Sequence, residues 1–312
     1  MSAIATRPGI EPTAAPSAST SPAPILLAVD GSPDSDLAAR AAVDIATGLR
    51  VPLHVVHCWL PATTAFGPAG EPTIDIGVVY GEPAQEVLRK QVRALQHQGI
   101  QVAGEHLLMG RPTDEIPGVA ASIGAQMIVI GSRGLGAFKR VVLGSVSDGV
   151  VHASSVPVLV IRGGLHAWPP DSIFVGVDGS VQSRQVAHAA AGIARAGGAA
   201  LTVATVITAE WMDAATPTEA RARTAARSAS TAMVRELADQ LTTTYAIPVK
   251  VEVLTGDPAE ALLRAGTEES TPALLAVGSR GLGSVGRLTL GSVSTRLLHG
   301  AEGPVLVSSL AR

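Results

Sequence analysis

The chain contains one long stretch twice. Residues 131–147 read GSRGLGAFKRVVLGSVS and residues 278–294 read GSRGLGSVGRLTLGSVS, identical at twelve of seventeen positions. Chance matching at ordinary residue frequencies, roughly 5–10% per position, does not produce this. The offset is 147 residues, and two further pairs agree with it to within one residue, at 148 and 147. Val29-Asp30-Gly31-Ser32 recurs as Val177-Asp178-Gly179-Ser180, and VPVLV at 156–160 recurs as GPVLV at 303–307. A period this long in a chain of 312 residues means a duplicated domain, not a solenoid of short units. Gly163, Gly164, Pro169 and Pro170 interrupt the pattern between the copies. The expected organisation is a first domain over 23–162, a linker over 163–171 and a second domain over 172–309. Residues 1–22, rich in Pro, Ala, Ser and Thr, are expected to form a disordered tail.

Each copy alternates short apolar runs with helical periodicity. In the first, strands are expected at 25–29, 53–59, 100–108, 127–130 and 157–161. Leu37, Ala41, Ile45 and Leu49 repeat at i+4, and further helices are expected near 83–97, 113–123 and 145–153. The second copy places strands near 173–177, 200–207, 248–254, 273–277 and 304–308. The runs 127–130, 158–161 and 273–277 are almost wholly apolar, which suits parallel strands covered by helices on both faces. Hydrophobic residues make up 46% of the chain but aromatics only 3%, so the cores must be built from Val, Ile, Leu and Ala. The fold class is therefore α/β: two tandem, doubly wound, five-stranded parallel sheets. Ligands of such sheets sit at the carboxyl ends of the strands, where strand order reverses.

The chemistry lies in the glycine spacing. Gly131 ends a buried strand, Gly134 follows, and Gly144-Ser145 opens a helix, giving G-x2-G-x9-G-S. Gly278, Gly281, Gly291 and Ser292 repeat it. Such glycines let a backbone approach a ligand, and a helix N-terminus offers unpaired N–H groups and a positive dipole end to a phosphate. Ser145 and Ser147, with Ser292 and Ser294, are candidate hydroxyl donors, and Val146 and Val293 lie between them. Arg133 and Arg280, inside the loops, are candidate phosphate ligands, or else solvated. The pattern is not a Walker loop, because no Lys follows Gly144. Asp30 and Asp178 end their first strands; each suits an adenine amino group or a ribose hydroxyl, or equally an Asx turn or helix cap.

Taken together, the VDGS turn, the GSRG loop, the nine-residue spacer, the GSVS helix start and the final PVLV strand resemble the universal stress protein family, twice over. The tandem form is similar to actinobacterial members. The resemblance implies strand order 3-2-1-4-5, an adenine nucleotide alpha hydrolase-like sheet. In the ATP-binding branch it implies adenosine held by the first-strand Asp and the end of the second strand, with phosphates on the glycine loop. Carried onto this chain, the second-strand positions are Cys58 and Val206. The implied cofactor is ATP, with or without Mg, acting as a sensed ligand in a stress-response role; the resemblance implies that last strands pair between domains, here between the two halves of the chain, and that chains then form a homodimer. The rival readings are a slow ATPase or nucleotidyl-transfer enzyme, and an interaction module without nucleotide.

Net charge is -3, which argues against a grip on nucleic acid driven by phosphate neutralisation. One cysteine permits neither an internal disulfide nor a thiolate metal cluster, and suits a reducing cytoplasm. No apolar run approaches the roughly 18 residues of a membrane span, and the N-terminal stretch lacks the apolar core of a secretory signal. No repeated Lys, Glu or His sits beside the loops to activate water, so a catalytic role is not expected, and an unidentified protein partner is. His152 and His299, at matching positions, are expected to serve helix C-termini. Arg221, Arg223 and Arg227 suit a solvated helix face. Residues 60–81 form a longer connection than their counterpart near 208–217 and are expected to act as a lid on the first site.

Overall fold

The computed structural model describes residues 22–60, 76–133, 143–162, 168–208, 216–268, 271–279 and 290–308. The expected tail, apart from its last residue, lies outside them, as do most of the proposed lid and part of the linker. In the first half the order is β1 (Ile25–Ala28), α1 (Pro33–Leu49), β2 (Leu53–Trp59), α2 (Ile76–His97), β3 (Val102–Met109), α3 (Pro112–Ser122), β4 (Met127–Gly131), α4 (Ser145–Ala153) and β5 (Val158–Ile161). The second half repeats it with β6 (Ser172–Gly176), α5 (Val181–Gly197), β7 (Ala200–Ile207), α6 (Pro217–Tyr245), β8 (Val249–Thr255), α7 (Pro258–Thr267), β9 (Leu274–Gly278), α8 (Ser292–Gly300) and β10 (Val305–Ser308).

Strand positions match the sequence expectation to within two residues, because the apolar runs are the buried runs: β1, β5 and β10 are buried at every position. Two helices run further than their periodicity suggests. Helix α2 begins at Ile76, upstream of the expected start at 83, and continues through Pro83. Helix α6 spans 29 residues, yet among its described side chains the buried ones start at Val234. Apolar periodicity reports the turns that pack on the sheet, and it is silent about turns that extend beyond it.

The strands form a single sheet of ten, in the order β3-β2-β1-β4-β5-β10-β9-β6-β7-β8. Each half thus has the expected 3-2-1-4-5 order. The seam is antiparallel, with Leu159 opposite Leu306 and Val160 opposite Val305; the other pairings are parallel. Pairing of the last strands is therefore satisfied inside the chain, and a second copy would have to associate by another surface. One core, on the side of α1, α2, α5 and α6, runs unbroken from Leu27 and Ile45 through Leu159 and Leu306 to Ile193 and Leu237. The other, on the side of α3, α4, α7 and α8, joins Ile128 and Val150 to Leu275 and Leu297. Helices α1 and α5 meet closely over the seam: a Cβ on Gly48 would stand 2.4 Å from that of Ala196. Trp168 adds a link, its Nε1 donating to Asp44 Oδ2 at 2.9 Å.

Candidate functional site

Each half opens a cleft where β1 and β4, or β6 and β9, diverge toward helices on opposite faces. The VDGS turn forms one wall. Gly31 and Gly179 take φ of +78° and +88°, a left-handed conformation that glycine adopts without steric cost. Asp30 Oδ1 accepts from Ser32 N–H at 3.0 Å, and Asp178 Oδ1 from Ser180 N–H at 3.0 Å, so both carboxylates close Asx turns. The helix caps are the serines: Ser32 Oγ accepts from Ser35 N–H and Ser180 Oγ from Ser183 N–H, each at 3.2 Å. Asp30 and Asp178 also border the cavities described below, so each serves the turn and faces the cleft.

The glycine loop forms the opposite wall. A Cβ on Gly131 would lie 2.7 Å from the Asp34 carbonyl carbon, and one on Gly278 would lie 2.9 Å from Gln182 Cβ. These glycines are required by the helix N-terminus pressed against the strand end, whatever else the cleft holds. The loop's far end is clipped to its near end. Gly144 N–H donates to Ser132 O at 2.7 Å, and the Ser147 hydroxyl reaches Ser132 O at 3.0 Å and Gly144 O at 2.9 Å. Gly291 N–H and Ser294 Oγ make the same contacts to Ser279 and Gly291 carbonyls. Ser147 and Ser294 are therefore buried clips whose protons go to backbone carbonyls, a role the glycine spacing alone does not disclose. Ser145, Val146 and Ser292 remain exposed, and Val293 is half-buried. The caps Gly144 and Gly291 offer no side-chain acceptor, so the first N–H groups of α4 and α8 stand open to an anion. Gly134, Arg280 and Gly281 lie outside the described residues.

Between these walls the first half holds a cavity of about 410 Å³, bordered by Asp30, Cys58, Gly131, Arg133 and residues 144–147. The second holds one of about 290 Å³, bordered by Asp178, Val206, Gly278 and Val293, with Ser230 of α6 added; Gly291, Ser292 and Ser294 stand outside its described wall. Both approach or fall within the few-hundred-Å³ scale of small-ligand sites. Their apolar ends are made by Ile116 and Ile130 in the first and by Leu262 and Val277 in the second.

Arg133 is not a solvated side chain. Its Nε donates to Asp34 Oδ2 at 3.0 Å and its Nη2 to Asp34 Oδ1 at 3.1 Å, a bidentate pair that Ser132 Oγ joins at 2.7 Å from Oδ2. Asp34 and Arg133 side chains are only 11% and 23% exposed, which separates this from an ordinary surface pair. Asp34, in the first turn of α1, was not singled out by the repeat, because its counterpart is Gln182. Buried Arg162 lies in the same electrostatic neighbourhood: burial lowers its pKa, as does the charge of Arg133, while Asp34 opposes both. Its Nη1 donates to the Leu298 carbonyl in the last turn of α8. Burial, and then the nearby Glu115 carboxylate, push the Cys58 thiol up to about 12, so it borders the cavity as a neutral side chain. His57, also buried, donates from Nδ1 to the Val29 carbonyl at 2.7 Å and steadies the strand end that carries Asp30. His152 bonds the Asp148 carbonyl within its own helix at 2.8 Å. Among the described residues no group of three or more His, Cys, Asp or Glu is placed to hold a metal ion, and no helix is long and apolar enough to cross a membrane.

Fold and site together define a class: a fused pair of doubly wound α/β domains, each with a ligand-sized cleft at the switch point of its half of the sheet. The model of the universal stress protein family matches residues 23–162 and again 170–309. The chain belongs to that family. It is 29% identical over 296 residues to a universal stress protein of Mycolicibacterium smegmatis, covering 91% of this chain and 96% of the relative. A universal stress protein of Mycobacterium tuberculosis is 29% identical over 294 residues with the same coverage. Among solved structures, a universal stress protein from Archaeoglobus fulgidus superposes with a TM-score of 0.68 at 24% identity, covering 92% of this chain and 98% of that one. A Pseudomonas aeruginosa structure described as a putative universal stress protein gives 0.60 at 18% identity, covering 92% of each chain. These two likenesses speak to the fold.

Proposed function

We propose that the chain binds ATP in the strand-end clefts and acts as a regulatory universal stress protein, with nucleotide as a sensed ligand and not as a fuel. The observation that carries this reading is the first cavity. The open N-terminus of α4 and the Asp30 turn face the same space, with an apolar end at Ile116 and Ile130. A positive helix end suits phosphate, and an apolar slot beside a carboxylate suits a purine with its amino and hydroxyl donors. Fuel use is disfavoured because Asp30 is the one carboxylate among the cavity's described wall residues, and its Oδ1 is engaged in the turn. Bound nucleotide would stabilise the fold and bias a surface that a protein partner reads.

The test is to denature freshly purified protein and chromatograph what is released. One or two adenine nucleotides per chain are expected, the first site being lost in Gly144→Leu and the second in Gly291→Leu. A folded protein that releases none, and takes up none on titration with MgATP, would establish the rival reading of an interaction module with vestigial loops.

A further inference from the structure

We propose that Asp34 sets the phosphate preference of the first cleft, holding Arg133 away from a polyphosphate so that this site favours less charged nucleotides than the second does. The proposal rests on the ATP-binding reading above and deepens it. Arg133 borders the first cavity beside the open N-terminus of α4 and is the one cationic side chain among the cavity's described wall residues. Its fork is already occupied: Nε and Nη2 both donate to the Asp34 carboxylate, and the Ser132 hydroxyl fixes that carboxylate from the loop side. Asp34 is itself held by the first turn of α1, whose helix dipole favours a carboxylate there.

A triphosphate at the loop therefore meets a guanidinium whose fork and charge are both taken up by the Asp34 carboxylate behind it. Freeing Arg133 would leave a nearly buried carboxylate without its partner, which is costly. The second half lacks this arrangement. The position of Asp34 is filled by Gln182, also buried, which carries no charge. A second exchange accompanies it: Arg162, which feels the charges of both Asp34 and Arg133, corresponds to the neutral Ser309. The extra acid and the extra base occur together in the first half and are both absent from the second. The second half thus offers no carboxylate at this position to engage a guanidinium.

The experiment is isothermal titration of the full chain with ATP and, separately, with adenosine, on wild type, Asp34→Gln and Gln182→Asp, with thermal melts to establish that each variant is folded. The readout is the ratio of ATP to adenosine affinity for each class of site, which a merely structural role would not move. In wild type the two classes are expected to differ in that ratio. Asp34→Gln should raise the lower ratio about tenfold, the scale of one charge-assisted contact, and Gln182→Asp should lower the higher one. Should Asp34→Gln fail to fold, Gln182→Asp decides by itself. Unchanged ratios in a folded variant that still binds adenosine overturn the role of Asp34 and leave the ATP-binding reading standing. A wild-type chain that binds neither ligand overturns both.

Discussion

At the scale of single residues, the clefts are built from side chains that serve the fold and the site at once. Asp30 closes a turn and faces the cavity, while Ser147 clips the loop ends and is buried by doing so. Cys58 is the clearest case of position without reactivity. With its pKa raised from 9.0 to about 12, the thiol holds about a thousandfold less thiolate at pH 8 than an ordinary cysteine. Iodoacetamide should therefore label native protein at pH 8 some hundredfold or more slowly than the same protein in urea. Equal rates would mean that the thiol is neither desolvated nor held beside Glu115. The sequence repeat pointed to Asp30, Gly131 and Ser145 because both copies carry them. It passed over Asp34 and Arg162, since a residue present in only one copy leaves no trace in a comparison of the two.

At the scale of elements, the outer strands of the first half hold a pair that no local spacing reveals. His54 of β2 and His106 of β3 lie 52 residues apart, yet His54 Nδ1 and His106 Nε2 are 3.0 Å from each other. Their rings are 17° from parallel with centroids 5.3 Å apart. The pair sits over Gly104, where a Cβ would come within 2.4 Å of His54. Burial, and then the charge of His106, lower the His54 pKa from 6.5, and burial lowers that of His106. Because both folded values are below the unfolded one, the unfolded chain takes up protons first as pH falls. The stability contributed by the neutral pair is thus complete above about pH 6.5 and lost as pH drops through that value toward the folded pKa values. Urea midpoints measured from neutral to mildly acid pH should fall more steeply for wild type than for a His54→Asn, His106→Asn double variant. Parallel curves would remove the pair from the pH response. The rings are only partly buried, so the effect should be modest.

At the scale of the whole molecule, duplication and strand pairing make one body from two domains. Both faces of the sheet carry cores that cross the seam, and Leu306, fully buried, faces Leu159 across it. A chain built this way should unfold in one cooperative step, and Leu306→Ala should shift that step by about 2–5 kcal/mol in urea melts followed by circular dichroism. Two separated transitions, with only the later strands affected, would mean that the halves are stable independently. Such a fused pair also leaves β3 and β8 as the outer edges of the sheet.

The sequence by itself determined the duplication, the strand–helix alternation, the order of strands through the family resemblance, and the residues around which the clefts form. These are legible because they are written as local patterns: buried runs, i+4 spacing, and a glycine motif present twice. Only the tertiary structure decided how the halves join, that Ser147 and Ser294 clip the loops, that Arg133 is held by Asp34, and that two distant histidines share a proton-bonding contact. Those features depend on distances between residues about 15 to 150 positions apart. Such distances are set by how helices and strands pack, and packing is a property of the assembled cores that no local stretch of this chain encodes.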